Sequence, residues 1–161
     1  MDYGPIAAKV NNKVQGLHYR LYNNKDVEFL DMYSGSAERT YTRTLFLVCC
    51  KAIHDLYRGA EVVIDIPVSK GYFVHMDIGR PVAADDVERI RCRMQEIIDA
   101  KMPVVRHTVP TEDAIRLFGE KGDEAKVKLL KSTGDLYTVY YQLDDFVDYF
   151  YGSLLPNTEK L

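Results

Sequence analysis

Two side chains stand at a spacing that chemistry can use. Cys50 and His54, four residues apart, share one face of a helix and can form a metal edge or a thiol beside a base. The plainer reading is that Cys50 packs as a small hydrophobe while His54 sits near a helix C-terminus, where positive charge is favourable. No third ligand stands nearby in sequence, so no metal site is expected. Asp144, Asp145 and Asp148 offer paired carboxylates for acid–base work or for a cation. With no adjacent nucleophile or glycine-rich acidic loop, they read instead as turn and strand-end residues.

Other constellations are weaker. His18, His54, His75 and His107 fall on separate elements, and none makes a His-x-x-x-His pair. The run Gly119-Glu120-Lys121-Gly122 lacks the Lys-Ser/Thr of a phosphate-binding loop and reads as a helix-breaking turn, so this chain alone is not expected to hydrolyse ATP. Arg89, Arg91 and Arg93 with Lys101 are interleaved with acids and read as a solvated helix face. Tyr137, Tyr140, Tyr141, Tyr149 and Tyr151 can serve as a base-stacking platform, and more ordinarily as cross-strand packing with hydroxyls at the rim.

The elements that must position these groups follow from periodicity. Short strands are expected over Ile6–Val10, Leu17–Tyr22 and Asp26–Met32, with turns at Asn11-Asn12 and Asn23-Asn24. Ser36 caps a helix to about Arg58 that buries Leu45, Val48, Cys49, Ala52, Ile53 and Leu56, and Gly59 ends it. Ala60–Pro67 and Tyr72–Ile78 form a hairpin around Ser69-Lys70-Gly71. A second helix starts near Asp85 with two acids in its first turn, turns Val87, Ile90, Met94, Ile97 and Ile98 inward, and ends before Pro103. A strand Val104–Val109 and short helices through Phe118 and over Glu124–Lys131 follow. Strand-like runs at Leu136–Leu143 and Asp145–Tyr149 come next, then a frayed end over Pro156–Leu161. Helices and strands alternate without βαβ order, which makes the class α+β.

Composition sets the frame. A chain of 161 residues with 47% hydrophobic and 28% charged residues can bury a sizeable core. The net charge of −3 makes nucleic acid an unlikely partner for electrostatic gripping, and no apolar run is long enough for a membrane span. Three cysteines, two of them adjacent, give no disulfide framework, and a reducing cytoplasm is the expected compartment.

From the first helix onward the order of words resembles the second N-terminal region of threonyl-tRNA synthetase, the editing-type domain also found in free-standing alanyl-tRNA editing proteins. The carriers are AIHDLY, IPVSKGYFVHMDIGRPVAADDVERI, RMQEIIDAKMPVVRHTV, TEDAIRLFGEKGDEAKVKLL and FVDYFYGSLLPNT, over about three quarters of the chain. The resemblance implies helices packed on a largely antiparallel sheet over residues 36–161. VNNKVQGLHYRLYNNKDVEFLD resembles the closing half of a TGS domain, a ubiquitin-like module, which implies a partial TGS β-segment over residues 1–35 and a start at Met1-Asp2 that falls inside a longer protein.

The editing family carries its chemistry on a His-x-x-x-His pair in the first helix and a Cys-x-x-x-His pair near the C-terminus. The matching positions here are Arg43 and Leu47, then Phe150 and Leu154. None of these side chains supplies a neutral imidazole nitrogen or a thiolate, so neither a zinc-like site nor a general base can stand on them. Asp148, retained two residues before Phe150, is left with Cys50 and His54 as the candidate residual cleft.

YGPIAAKVNNKVQG, YNNKDVEFLD and PVSKGYF resemble bacterial uridine kinase-like proteins, in which such a region precedes a P-loop kinase domain. That resemblance implies a non-catalytic binding, docking or regulatory module. Phosphorylation of uridine with ATP and Mg would belong to a kinase domain beyond Leu161, which would be this region's partner together with a small-molecule ligand. The chain itself would need no cofactor. The rival expectation is a tRNA-editing hydrolase of the threonyl/alanyl-tRNA synthetase type with a relocated site.

Overall fold

A computed structural model describes residues 4–69 and 71–161. The N-terminal sheet contains β1 (Ala7–Val10), β2 (Lys13–Gln15) and β3 (Val27–Leu30), antiparallel in the order β2-β1-β3. The Asn11-Asn12 turn is present, with φ of 44° and 66°, the left-handed pair that a tight hairpin requires. Leu17–Tyr22 is not a strand, contrary to expectation. Gly16 runs so close to the main chain of Leu154 that an added Cβ would lie 3.2 Å from its carbonyl oxygen, and the Tyr19 amide turns back to the Gly16 carbonyl. The hairpin partner is the shorter β2.

Helix α1 (Gly35–Leu56) begins after Ser34 rather than at Ser36. Its buried face is Ala37, Thr40, Thr44, Leu47, Val48, Lys51, Ala52 and Ile53, which includes three polar residues that hydrophobic periodicity alone omits. The hairpin β4 (Glu61–Val68) and β5 (Gly71–Asp77) follows, with Tyr72 set edge-on against Phe46 of α1, ring centroids 4.8 Å apart. Lys70, in the expected turn, lies outside the described residues.

Helix α2 (Ala84–Asp99) turns Asp86, Ile90 and Ile97 inward, while Val87, expected inside, is exposed. The buried set runs at i, i+4 and i+11 from Asp86, so Val87 stands about 100° round the helix from that stripe. Asp86 itself is buried and saturated. It accepts from both guanidinium nitrogens of Arg80 at 2.7 Å, from the Ala83 amide at 2.9 Å and from the Tyr57 hydroxyl at 2.7 Å. One carboxylate thereby ties the end of α1, the exit of the hairpin and the first turn of α2.

Strand β6 (Val104–Pro110), helices α3 (Thr111–Glu120) and α4 (Glu124–Thr133), and strands β7 (Tyr137–Leu143) and β8 (Phe146–Asp148) complete the chain, with the sheet order β6-β7-β8. Every strand pair among the described residues is antiparallel, so the class is α+β. Gly122, at φ 77°, ends α3 as the Gly119–Gly122 run predicts, whereas Gly119 stays helical.

The end of the chain is not frayed. The Val104 amide donates to the Pro156 carbonyl at 2.9 Å, and the Thr158 amide to the Met102 carbonyl at 3.0 Å. The Thr158 hydroxyl accepts from the Met102 amide and donates to the Ile97 carbonyl, both at 2.9 Å. Just upstream, the Leu155 amide donates to Thr44 Oγ1 at 2.9 Å, and the Ser153 and Thr40 hydroxyls bond at 3.0 Å. Leu154 enters the main core with Leu47, Ile53, Ile97 and Leu143, while Leu155 enters the N-terminal core with Ile6, Ala7, Leu30 and Ala37.

Two outcomes follow from these contacts. Thr44→Val keeps the shape of the side chain but leaves the buried Leu155 amide without its acceptor, and should lower the unfolding free energy by about 1–3 kcal/mol in urea denaturation; an unchanged midpoint would contradict the role given to Thr44. Arg80, the Ala83 amide and Tyr57 hold the Asp86 carboxyl well below the usual carboxylate range. Because its native pKa lies below an unfolded value of about 3.9, the ionised group contributes stability that is full above about pH 5 and lost as pH falls below 4. The stability gap between the wild type and Asp86→Asn should be constant from neutral pH to about pH 5 and shrink below pH 4. A gap that holds its size into strong acid would contradict this.

Candidate functional site

The four positions matched to the editing family's ligands come together where α1 meets the 150–155 segment. Leu47 and Leu154 are 0% and 3% exposed and belong to one buried cluster, with Phe150 packed against it. Arg43 lies beneath Gly152: a Cβ built there would be 2.7 Å from Arg43 Nη1, and φ at Gly152 is +108°, so glycine is required twice over. The Tyr141 hydroxyl donates to the Gly152 carbonyl at 2.6 Å and fixes the segment from the other side. Where the editing family has metal-type or hydrolytic ligands, this chain has two core leucines, a packed phenylalanine and a guanidinium. These residues do not fit a metal ion.

Among the described residues no hydrogen bond joins Cys50 to His54. Burial pushes the Cys50 thiol far above its usual range, and the negative charge of Asp148 pushes it the same way, so little thiolate exists at neutral pH. His54 is exposed and leans on the Phe146 ring, with centroids 5.2 Å apart. Asp148 is buried rather than at an open strand end. Burial raises its carboxyl above the usual range although Lys126 Nζ lies 3.0 Å from Oδ1, and the same oxygen accepts from the Tyr149 amide at 2.7 Å. Cys50 and Asp148 are therefore electrostatic neighbours, while His54, in the last turn of α1, lies 3.8 Å from Asp55.

Hydrophobic periodicity passes over Lys51, whose stem lies in the buried face of α1 and whose ammonium emerges between Asp55 at 2.6 Å and Asp145 at 2.7 Å, with Asp144 at 3.7 Å. The visible signal is Lys51 four residues before Asp55. Burial works against the Lys51 charge, yet its hydrogen bonds to Asp145 and Asp55 prevail and raise its pKa. Asp55 also receives Arg93, at 2.9 Å. Arg93, expected on the solvated face of α2, is thus half-buried and bound across to α1. His54, Asp55 and Asp145 place ligand atoms within 4.8 Å of one another, but both carboxylates are already held by Lys51, and an ion there would have to displace an ammonium.

A cavity of about 550 Å³ opens beside Phe150 and Leu154, two of the four matched positions. Its walls are the Val14–Arg20 stretch and Tyr22 on one side, β6, β7 and the Tyr149–Leu155 segment on the other. The tyrosines divide between the two roles weighed for them. Tyr140 is cross-strand packing, stacked on His107 at 4.8 Å, and Tyr141 is buried, while Tyr137 and Tyr151 are exposed at the cavity. Sequence reasoning missed Arg20 and Arg106, which line it; their signal is weak, since lone exposed arginines are common.

No protein-family profile matches the chain. Among curated proteins it is similar to the threonine–tRNA ligases of Acetivibrio thermocellus and Symbiobacterium thermophilum, each 28% identical over 157 residues, which is 97% of this chain and 25% and 24% of those proteins. The threonine–tRNA ligase of Clostridioides difficile is 26% identical over the same 97%. The chain spans about a quarter of the length of these relatives. The likeness covers the N-terminal sheet as well as the rest, and it agrees with an α+β domain of the threonyl-tRNA synthetase editing type. No helix among the described residues is long and apolar enough to cross a membrane.

Because Leu47 and Leu154 are core, an imidazole placed at either should cost stability rather than create a site. Leu47→His and Leu154→His should each lower the unfolding free energy by about 2–4 kcal/mol, through lost apolar burial and a poorly satisfied polar ring. Either variant melting like the wild type would contradict the assignment of these positions to the core.

Proposed function

We propose that this chain is an editing-type domain of the threonyl-tRNA synthetase kind whose hydrolytic centre has been built over, and that it acts as a non-catalytic binding and docking module within a longer protein. The observation that carries this is the burial of Leu47 and Leu154, at 0% and 3% exposure, where the family's ligands would stand. Core leucines can neither activate water nor hold a metal. The similarity to threonine–tRNA ligases supports the domain type. The division into a partial TGS segment over 1–35 and an editing-like domain over 36–161 belongs to the same reading. For the longer protein, the words YGPIAAKVNNKVQG and PVSKGYF support a uridine kinase-like parent, in which a kinase domain carrying ATP and Mg would dock on this region. That assignment rests on those words alone.

The second reading is a tRNA-editing hydrolase with a relocated site, favoured by the name that the relatives share. It would draw on Asp148, whose raised carboxyl is a feature of general acids, with Cys50 beside it. A deacylation assay on mischarged threonine-specific tRNA separates the two. The first reading predicts release of amino acid no faster than without protein. Turnover that disappears in Cys50→Ala, His54→Ala or Asp148→Ala would overturn it in favour of the hydrolase.

A further inference from the structure

We infer that the cavity between the 14–22 stretch and the β6–β7 face binds a nucleoside 5′-phosphate. The inference rests on the reading of this domain as a binding module and names its ligand class. About 550 Å³ lies within the range of small-molecule sites. Two arginines, Arg20 and Arg106, line it, against a single acidic residue, Asp135. Arg80, Arg91, Arg93 and Arg116 each pair with a carboxylate elsewhere in the fold. Neither Arg20 nor Arg106 has such a partner among the described residues; Arg106 meets only neutral groups, the Thr108 hydroxyl at 3.0 Å and the hydroxyl of Tyr141. Arginines without carboxylate partners, converging on one concavity, suit an oxyanion, and a guanidinium fork matches phosphate geometry.

The rest of the lining suits a planar ring. Tyr19, Tyr137 and Tyr151 are 48%, 66% and 85% exposed while bordering the cavity, which leaves aromatic surface available for stacking. Tyr141, by contrast, is spent on the Gly152 carbonyl and acts as wall. A phosphate on one side and an aromatic surface on the other describe a mononucleotide better than a bare anion or an apolar molecule. The pocket draws its walls from both the N-terminal segment and the main domain, so occupancy would fasten the two together. A nucleic-acid strand is disfavoured because the chain carries a net charge of −3.

Isothermal titration of the full chain with uridine 5′-monophosphate and adenosine 5′-monophosphate tests this, with uridine, adenosine, inorganic phosphate and a single-stranded RNA decamer as comparisons. At least one mononucleotide should bind saturably at one site, about tenfold or more tighter than its nucleoside and than phosphate, as a charge-assisted hydrogen bond requires. Arg20→Ala and Arg106→Ala should each weaken it about tenfold, with urea midpoints near the wild type, while Arg89→Ala, on the exposed face of α2, should leave it unchanged. Absence of saturation by either nucleotide, equal binding of nucleoside and nucleotide, equal binding of phosphate, indifference to both arginine variants, or binding of the decamer alone would overturn the inference. Failure to bind without deacylation of tRNA would remove this inference and leave the non-catalytic reading; deacylation with nucleotide binding intact would do the reverse.

Discussion

The fold depends on how the 153–158 segment is held against α1. An extended stretch of chain carries backbone donors and acceptors that must be matched once buried. α1 meets this need with threonines: Thr44 gives its own proton back to the Thr40 carbonyl at 2.8 Å, which leaves its oxygen free to accept the Leu155 amide. Thr158 repeats the arrangement at the end of α2, between the Ile97 carbonyl and the Met102 amide. With the backbone satisfied, alternate side chains can point opposite ways, Leu154 to one core and Leu155 to the other. The N-terminal sheet and the main domain are thus sewn together by a segment that belongs to neither sheet.

That seam also occupies the ground where the resemblance puts chemistry. A hydrolytic centre needs polar ligands with space for water between them, whereas this junction has Leu47 against the incoming segment and Arg43 closed over by Gly152. The polar groups that remain nearby are mutually consumed. Lys51 holds Asp55 and Asp145, Lys126 holds Asp148, and burial silences Cys50. Beside them lies a cavity lined by two arginines that no carboxylate neutralises among the described residues.

Much of this was legible beforehand, for physical reasons that differ by element. α1, the β4–β5 hairpin and the Asn11-Asn12 turn announce themselves through local signals: a long apolar stripe, flanking breakers and paired asparagines that tolerate positive φ. Leu17–Tyr22 misleads because alternation says nothing of Gly16 being pressed on the Leu154 carbonyl. Pro156–Leu161 misleads because its polar look hides Thr158, whose hydroxyl is valuable only once α2 supplies partners for it. Lys51 and Asp86 stand outside the apolar stripes and are nevertheless buried, since partners such as Asp145 and Tyr57 come from other elements. The four matched positions were found through resemblance and the arginine-lined cavity only through the fold, because Arg20 and Arg106 come from segments far apart in the chain.

The central claim is that the 153–158 segment is core rather than a cover that opens over a working site. Native-state hydrogen exchange on the Leu155 amide tests it most directly, compared with α1 amides such as that of Ile53. The account predicts that Leu155 exchanges only through global unfolding, with the same opening free energy and the same denaturant dependence as Ile53. Exchange of Leu155 through a smaller, denaturant-independent opening while Ile53 stays protected would contradict it.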